Sequence, residues 1–368
     1  MKKSILCISV TAALSMAAWL WAGDANKSEE SAISSPELKA FAAIEPVDTH
    51  AHAFKNDPAF FEMMNRLHLH ILDICVAKRN DADFPDLPSK IQAAKSFVKG
   101  SGGRAALCTT FDPFKFSDAA FAREAIGQLD KDFSDGAVAV KIWKNIGMEL
   151  KDSRGAFVMP DNSRFEPIYR DIAAHGKTMV AHLAEPDSCW LPPDKNSPDS
   201  RYYQEHPEWY MYTKPDHPSK HAILQARDHL VEENPKLRVV GAHLGSMERD
   251  LDEIGRHLDR YPNFAIDTAA RVIYLALQPR DKARQFLIKY QDRILYATDL
   301  EFYPREEAQN AVRAWQKRYA TDWRFFATND VMDYHGHKVH GLALPEPVLR
   351  KLYHDNAVRW IPGIIHAN

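Results

Sequence analysis

The chain has 368 residues, of which 45% are hydrophobic, and its formal net charge is -3. This length suits one large α/β barrel or two ordinary domains. A net charge so close to zero offers no broad basic surface, so nucleic acid is excluded as a partner. The aromatic content of 11% indicates a folded rather than a disordered chain.

Residues 1–25 are predicted to form a secretory signal peptide. Lys2 and Lys3 precede an apolar run over residues 5–22, which is the order of charge and hydrophobicity in such a signal. The bulky residues at 19–21 make a poor cleavage site, so an uncleaved inner-membrane anchor is the alternative. We therefore expect an exported protein, periplasmic or secreted, with no stable membrane insertion after processing.

Residues 26–42 are predicted to be a flexible spacer, and residues 43–368 one folded domain. Short apolar runs alternate with helical segments across this domain, as is typical of parallel strands covered on both faces. Eight such strands over about 250 residues or more indicate a (β/α)₈ TIM barrel. An open doubly wound sheet would normally bring a G-x-G-x-x-G turn, which this sequence lacks. The strands are predicted at residues 44–50, 69–77, 105–110, 137–143, 178–183, 238–243, 264–268 and 294–298.

Helices are predicted between these strands, for example over residues 118–130, 165–174 and 248–258, where apolar residues recur at helical spacing. The connection after the fifth strand, residues 184–220, is unusually long and rich in Pro, Trp and Tyr. Loops of this length in a compact domain usually bind ligands, but this one could also pack its own aromatic residues as a small satellite core. Trp190, within it, is a candidate substrate-binding residue.

A pattern of histidines points to a metal site. The motif Asp48-Thr-His-Ala-His52 places two imidazoles at i and i+2, on the same face of a strand. His182, His243 and Asp299 each follow another apolar run. A barrel would bring these strand ends into one ring. Neutral imidazoles with one carboxylate suit Zn²⁺, Fe²⁺ or Mn²⁺, and zinc is the default expectation.

These pieces resemble the amidohydrolase superfamily, and in particular the metal-dependent branch that contains the aminocarboxymuconate-semialdehyde decarboxylase-like enzymes. The resemblance runs from about Glu45 to the C-terminus. The matching segments are residues 48–52, 180–182, 241–245, 294–299 and a tail over residues 344–357.

The resemblance implies roles for particular residues. His50, His52 and His182 would be metal ligands. His243 would bind the metal, or orient and protonate the reacting group. Asp299 would be both a ligand and the general base for metal-bound water. Binding of one divalent ion is favoured over two.

Other polar residues follow the remaining strands. Lys141 ends the fourth strand. In binuclear members of the superfamily such a lysine is carboxylated and bridges two metals, but contact with a carboxylate or an anionic substrate is favoured here. Asp267 and Arg271 follow the seventh strand and could bind substrate or pair with each other. The histidine-rich segment 335–340 is predicted to be a solvated loop.

The expected function is exported, metal-dependent hydrolysis of a small-molecule ester, lactone or amide through activated water. Non-oxidative decarboxylation of an aromatic or unsaturated carboxylic acid is the first alternative, since the same ligands serve both reactions. A secreted binding protein on a barrel scaffold is the second alternative. The partner is in each case a small molecule, and assembly into a homo-oligomer is left open.

Overall fold

The computed structural model describes residues 35–365, so the predicted signal peptide lies outside the described residues. A parallel sheet curls into a barrel with helices around it, which confirms the predicted TIM barrel. All eight predicted strands are present, most of them shorter at the carboxyl end than predicted. The strands are β1 (Val47–Ala53), β2 (His70–Ile74), β3 (Ala105–Thr109), β4 (Ala139–Ile142), β5 (Thr178–Ala181), β6 (Arg238–Gly241), β7 (Phe264–Asp267), β8 (Ile294–Leu295) and β9 (Leu300–Phe302).

The barrel closes through an interrupted eighth strand. The order in the sheet is β8-β7-β6-β5-β4-β3-β2-β1-β9, and β8 and β9 are two parts of one stretch of chain. Between them, the N–H of Thr49 donates to the carbonyl of Tyr296 at 3.0 Å, and the N–H of Asp299 donates to the carbonyl of His50 at 2.8 Å. Asp299 therefore lies at the break in the strand, beside β1.

Helices cover the outside of the barrel. Several begin with side-chain caps that satisfy backbone N–H groups, such as Asp86 and Asp250. The helices are α1 (Pro36–Ala43), α2 (Pro58–Arg66), α3 (Leu87–Gly100), α4 (Phe121–Ser134), α5 (Asn145–Met148), α6 (Glu166–Ala174), α7 (Ser200–Glu205), α8 (Lys220–Glu233), α9 (Ala242–Gly245), α10 (Leu251–Arg260), α11 (Val272–Ala276), α12 (Arg280–Lys289), α13 (Ala308–Ala327), α14 (Glu346–Arg350) and α15 (Asn356–Trp360), with a π-helical turn at Lys351–Asp355. The short elements α5 and α9 are irregular turns after β4 and β6, since each contains residues with non-helical backbone angles. None of these helices is long and apolar enough to cross a membrane.

The barrel interior is filled by small and branched side chains such as Val180 and Val240, together with Trp360 and Ile361 from the C-terminal segment. Thr178, the first residue of β5, donates its hydroxyl to the carbonyl of Trp360 at 2.5 Å. The C-terminal segment therefore closes the amino end of the barrel and leaves the carboxyl end of the strands for a functional site.

Part of the predicted spacer is structured. Residues 36–42 belong to α1, and Ser35 accepts the N–H of Leu38 as an N-cap. Leu38 and Phe41 are buried, and the ring of Phe41 stacks on that of Tyr319 at 4.8 Å. The prediction of a spacer is therefore wrong for these residues, because two apolar side chains at helical spacing anchor the segment to the folded domain.

The histidine-rich segment is also not a loop. It forms an antiparallel hairpin of β10 (Val331–Tyr334) and β11 (His337–His340). Gly336 has φ +83°, so it adopts the left-handed conformation that the turn requires. Alternate side chains of the hairpin are buried, because successive side chains of a strand point to opposite faces. None of its residues lines the cavity described below.

Candidate active site

A cavity of about 880 Å³ opens at the carboxyl end of the barrel. Most of the residues predicted to be functional line it. These are His50, His52, Lys141, His182, His243, Arg271 and Asp299. Their strands are far apart in sequence and adjacent in space, as the barrel topology requires.

His50, His52 and Asp299 form the centre of the site. The Oδ1 atom of Asp299 lies 3.4 Å from Nε2 of His50 and 3.3 Å from Nε2 of His52. One donor atom from each residue lies within 4.8 Å of the other two. Three ligand atoms this close together can bind one divalent ion.

His182 and His243 complete the ring of imidazoles. Their ring centroids are 4.1 Å apart, and the His243 ring is 5.0 Å from that of His50. Among the described residues, Nε2 of His182 and Nε2 of His243 are buried and have no hydrogen-bond partner. Burying a nitrogen without a hydrogen-bond partner costs free energy. Coordination of a metal ion by that nitrogen would offset the cost.

Outer hydrogen bonds fix the orientation of three of these rings. Nδ1 of His52 lies 2.7 Å from the carbonyl of Ile74, and Nδ1 of His243 lies 2.9 Å from the carbonyl of Ala269. A carbonyl only accepts, so both Nδ1 atoms carry the proton, and each Nε2 keeps its lone pair. Nδ1 of His50 is held in the same way by the carboxylate of Asp267 at 3.0 Å. Such outer partners are typical of metal-binding histidines.

The backbone is strained around the site. His243 and Asp299 have φ of +60° and +64°, and Ala184 and Ala270, which follow β5 and β7, have φ of +64° and +52°. Residues other than glycine rarely adopt this left-handed region, and strain of this kind gathers at functional sites. The sharp turns aim His243 and Asp299 into the cavity where regular strands would end.

The charge states of these groups suit metal binding. Burial lowers the pKa of His182 and His243 well below the usual range, and it also lowers the pKa of His52. These imidazoles are therefore neutral. Burial alone would raise the pKa of Asp299, but the surrounding side chains of His243, His50 and His52 hold it well below its usual range. Neutral imidazoles around one carboxylate are a ligand set for a divalent transition metal.

Lys141 reaches the same centre from β4. It is fully buried, and its Nζ lies 2.9 Å from Nε2 of His50. Burial lowers the pKa of Lys141 to about 8, against the opposing effect of the carboxylates of Asp267 and Asp299. Lys141 therefore competes with a metal for the lone pair of His50.

Two further candidates lie in different surroundings. Arg271 lines the cavity and is buried, with ion pairs of 3.8 Å to Glu185 and 3.7 Å to Asp199. Trp190 does not line the cavity. Its Nε1 donates to the carbonyl of Pro218 at 3.2 Å within the long loop, so its position gives no support to a role in substrate binding.

Several side chains that line the cavity were not predicted to be functional from the sequence. Lys144 lies beside Glu185 and Tyr202, and its Nζ is 4.4 Å from the ring centroid of Trp209. The only sequence signals were the position of Glu185 three residues after His182 and the aromatic content of the long loop. That loop both packs its own core and forms one wall of the cavity.

The comparisons with known proteins agree with this architecture. The sequence model of the amidohydrolase family matches residues 47–362. The chain therefore belongs to the amidohydrolase family, which is a family of enzymes. No curated protein sequence gives a significant match.

The solved structures that the chain matches are distant in sequence. The 2,6-dihydroxybenzoate decarboxylase from Rhizobium is 16% identical with a TM-score of 0.48, and the alignment covers 86% of this chain and 98% of that one. The 5-carboxyvanillate decarboxylase from Sphingomonas paucimobilis is 15% identical over 86% and 98%, with a TM-score of 0.46. The 4-oxalomesaconate hydratase from Rhodopseudomonas palustris is 12% identical over 87% and 96%, with a TM-score of 0.47.

Proposed function

We propose that this protein is a metal-dependent enzyme that decarboxylates a small aromatic or unsaturated carboxylic acid without oxidation. The observation that carries the proposal is a buried arginine with unused donors in the cavity that holds the histidine centre. Arg271 is only 8% exposed, and its Nε has no hydrogen-bond partner among the described residues. Its Nη1 donates to the carbonyl of Ala270 at 3.1 Å, and its two ion pairs are longer than hydrogen bonds, so donors of the guanidinium remain unused. A substrate carboxylate offers the acceptors that this guanidinium lacks.

The cavity walls favour a planar, unsaturated substrate. Trp143, Tyr202 and Trp209 line it together, and the rings of Trp143 and Trp209 are 5.1 Å apart in an edge-to-face arrangement. Aromatic side chains bind flat, unsaturated molecules through offset or edge-to-face contacts. The hydrogen bond from Lys144 to the hydroxyl of Tyr202, at 2.5 Å, fixes one of these walls.

We propose that His50, His52, His182 and Asp299 hold one divalent ion, with Zn²⁺ as the first candidate. When bound, the ion would polarise the oxygen of a carboxylate or carbonyl group. The buried Nε2 of His182, which has no partner among the described residues, and the close contact of Asp299 with two imidazoles support this assignment. We propose one ion rather than two because, among the described residues, His50, His52 and Asp299 form a single cluster of possible ligands in this cavity.

In this proposal Asp299 transfers the proton, and His243 acts beside it. The bond between the ring or alkene carbon and the carboxylate breaks, CO₂ leaves, and the electron pair left on the carbon takes a proton from Asp299. Because Asp299 is ionised in the free enzyme, it first takes that proton from an acidic group of the substrate or from solvent. His243, whose Nδ1 is held by the carbonyl of Ala269, would orient the reacting group through its Nε2, which has no partner among the described residues.

Hydrolysis of an ester, lactone or amide is the second candidate. The low pKa of Asp299 favours it, since an ionised carboxylate next to the metal centre can act as the general base for water. The cavity of about 880 Å³ leaves room for such a water beside a substrate. Arg271 would then bind a carboxylate group of the substrate that is not part of the bond that breaks.

A panel assay distinguishes the two candidates. The purified protein, loaded with Zn²⁺ or Mn²⁺, is incubated with aryl and unsaturated carboxylic acids while CO₂ is measured, and with esters, lactones and amides while acid release is measured. Decarboxylation predicts CO₂ from at least one acid and a large rise in KM on Arg271→Met. The matched control is Arg305→Met at the rim, where the guanidinium pairs with Asp83. Turnover of esters or lactones alone would support hydrolysis instead.

We also propose that the protein is exported. Lys2 and Lys3 before the apolar run over residues 5–22 support this location. Cell fractionation with N-terminal sequencing tests it, and a cytoplasmic product that retains Met1 would contradict both a cleaved signal and an anchor.

A further inference from the structure

Asp48 is the first residue of the histidine motif, but it does not line the cavity. It is fully buried, and its carboxylate accepts four hydrogen bonds. Oδ1 accepts the backbone N–H groups of His50 at 3.2 Å and Thr298 at 3.0 Å. Oδ2 accepts the hydroxyls of Thr298 at 2.5 Å and Tyr319 at 3.0 Å.

These four bonds join three parts of the fold. His50 belongs to β1, Thr298 lies in the break between β8 and β9, and Tyr319 belongs to α13. The residue after Thr298 is Asp299, which adopts φ +64° and donates its own N–H to the carbonyl of His50. A left-handed conformation at a residue other than glycine persists only where its surroundings determine it. On the N-terminal side of that conformation, Asp48 holds the N–H of Thr298 and His50 holds the N–H of Asp299. On the other side, the N–H of Leu300 donates at 3.2 Å to the Thr298 hydroxyl, which Asp48 in turn holds.

We propose that Asp48 is a positioning residue that fixes the strained turn at Thr298 and thereby holds the carboxylate of Asp299 against His50 and His52. The inference rests on the proposed metal centre, since it assigns Asp48 a role in presenting one of its ligands. Asparagine at this position would replace one oxygen by an NH₂ group, which faces the hydroxyls of Thr298 and Tyr319. Both hydroxyls would have to turn and accept instead of donate, so the turn would lose its fixed geometry.

Asp322 provides a matched control. It is also fully buried, and its carboxylate accepts from the hydroxyl of Tyr296 at 2.9 Å, from Arg318 at 2.7 Å and from the hydroxyl of Tyr334 at 2.5 Å. None of these partners lines the cavity. A role in general stability alone would make the two carboxylates equivalent, whereas a positioning role would separate them.

The test compares the parent protein with Asp48→Asn and Asp322→Asn. Zn²⁺ affinity is measured by competition with a chelator, and stability by thermal unfolding of the metal-free proteins. We expect both variants to unfold at lower temperature, and only Asp48→Asn to bind Zn²⁺ more weakly, by about 10- to 100-fold, as is usual for residues that orient metal ligands. Parent-like Zn²⁺ affinity in Asp48→Asn, or equal losses in both variants, would overturn the inference.

A milder pair covers the case in which Asp48→Asn does not fold. Tyr319→Phe removes one donor from Asp48, and Tyr334→Phe removes one from Asp322, with little change in shape. Weaker Zn²⁺ binding is expected in Tyr319→Phe alone, and equal affinities in the two variants would overturn the inference. A parent protein that binds no divalent metal would contradict the proposed function itself. A parent that binds metal while Asp48 has no effect would contradict only this inference.

Discussion

Asp267 links two histidines of the site through its two carboxylate oxygens. Oδ2 lies 3.0 Å from Nδ1 of His50, and Oδ1 accepts the backbone N–H of His243 at 2.8 Å. Burial would raise the pKa of Asp267, but His50, which is hydrogen-bonded to it, and the nearby His243 and Lys141 hold that pKa below its usual range. Asp267 is therefore a carboxylate that orients His50 and supports the strained turn at His243.

Replacement of Asp267 by asparagine should weaken metal binding. Asp267→Asn keeps the size of the side chain but leaves no full negative charge beside His50. We expect metal affinity to fall by about 10- to 100-fold, as measured by competition with a chelator. Asp81→Asn, which affects a carboxylate paired with Lys90 away from the cavity, should keep the parent affinity. An equal loss in both variants would argue for a general effect on folding.

Asp299 is expected to be essential for turnover in either proposed reaction. Asp299→Asn removes the group that takes and returns the proton, so kcat should fall by about 10²-fold or more. The measurement is steady-state kinetics on any substrate found in the panel, at saturating metal. Asp83→Asn at the rim of the cavity is the control. A parent-like kcat in metal-loaded Asp299→Asn would rule out the proton-transfer role.

Lys141 is expected to contact substrate rather than to bridge two metals. Lys141→Ala removes the donor to Nε2 of His50, and metal content per chain should stay near that of the parent. A loss of substrate binding would appear mainly as a higher KM. Elemental analysis of both proteins tests the point. Two metals per chain in the parent, lost together in Lys141→Ala, would instead show that Lys141 is a bridge.

The buried carboxyl group of Asp73 predicts a pH dependence of stability. Burial raises the pKa of Asp73 well above 3.8, although the N–H of Ala53 and the charge of Lys90 oppose the shift. Above about pH 4, Asp73 therefore keeps its proton in the folded state and loses it in the unfolded state. The contribution of Asp73 to the free energy of unfolding of the parent consequently falls as pH rises above about 4. Asp73→Asn stays neutral, and its stability relative to the parent should grow from pH 4 to pH 8 in chemical unfolding. A difference that is constant over this range would contradict the shift.

The sequence predicted the barrel and most of the site because both depend on pattern. The apolar runs placed the eight strands β1 to β8, and topology then brought His50, His182 and Asp299 together. The sequence could not predict contacts that depend on side-chain direction. The ion pair between Lys144 and Glu185 joins β4 to the long loop across the cavity, and no spacing in the sequence indicates it.

The errors have physical causes as well. Trp190 was selected because it lies in the long loop, but a loop that folds on itself turns some of its aromatic residues inward and away from the cavity. The polar stretch ends near residue 35, and the predicted spacer was extended past it over residues 36–42, where Leu38 and Phe41 lie three residues apart on one face of α1. The glycine at 336 suggested a loop, whereas it forms the turn of a hairpin.

The metal content of the purified protein tests the central claim most directly. Elemental analysis of the parent and of His52→Ala, both expressed and purified in parallel without added metal, measures what the site retains. We expect close to one divalent ion per chain in the parent and the loss of most of it in His52→Ala. The reason is that Nε2 of His52 lies in the cluster with His50 and Asp299. A parent protein that carries no divalent metal and remains fully active after exhaustive chelation would contradict it.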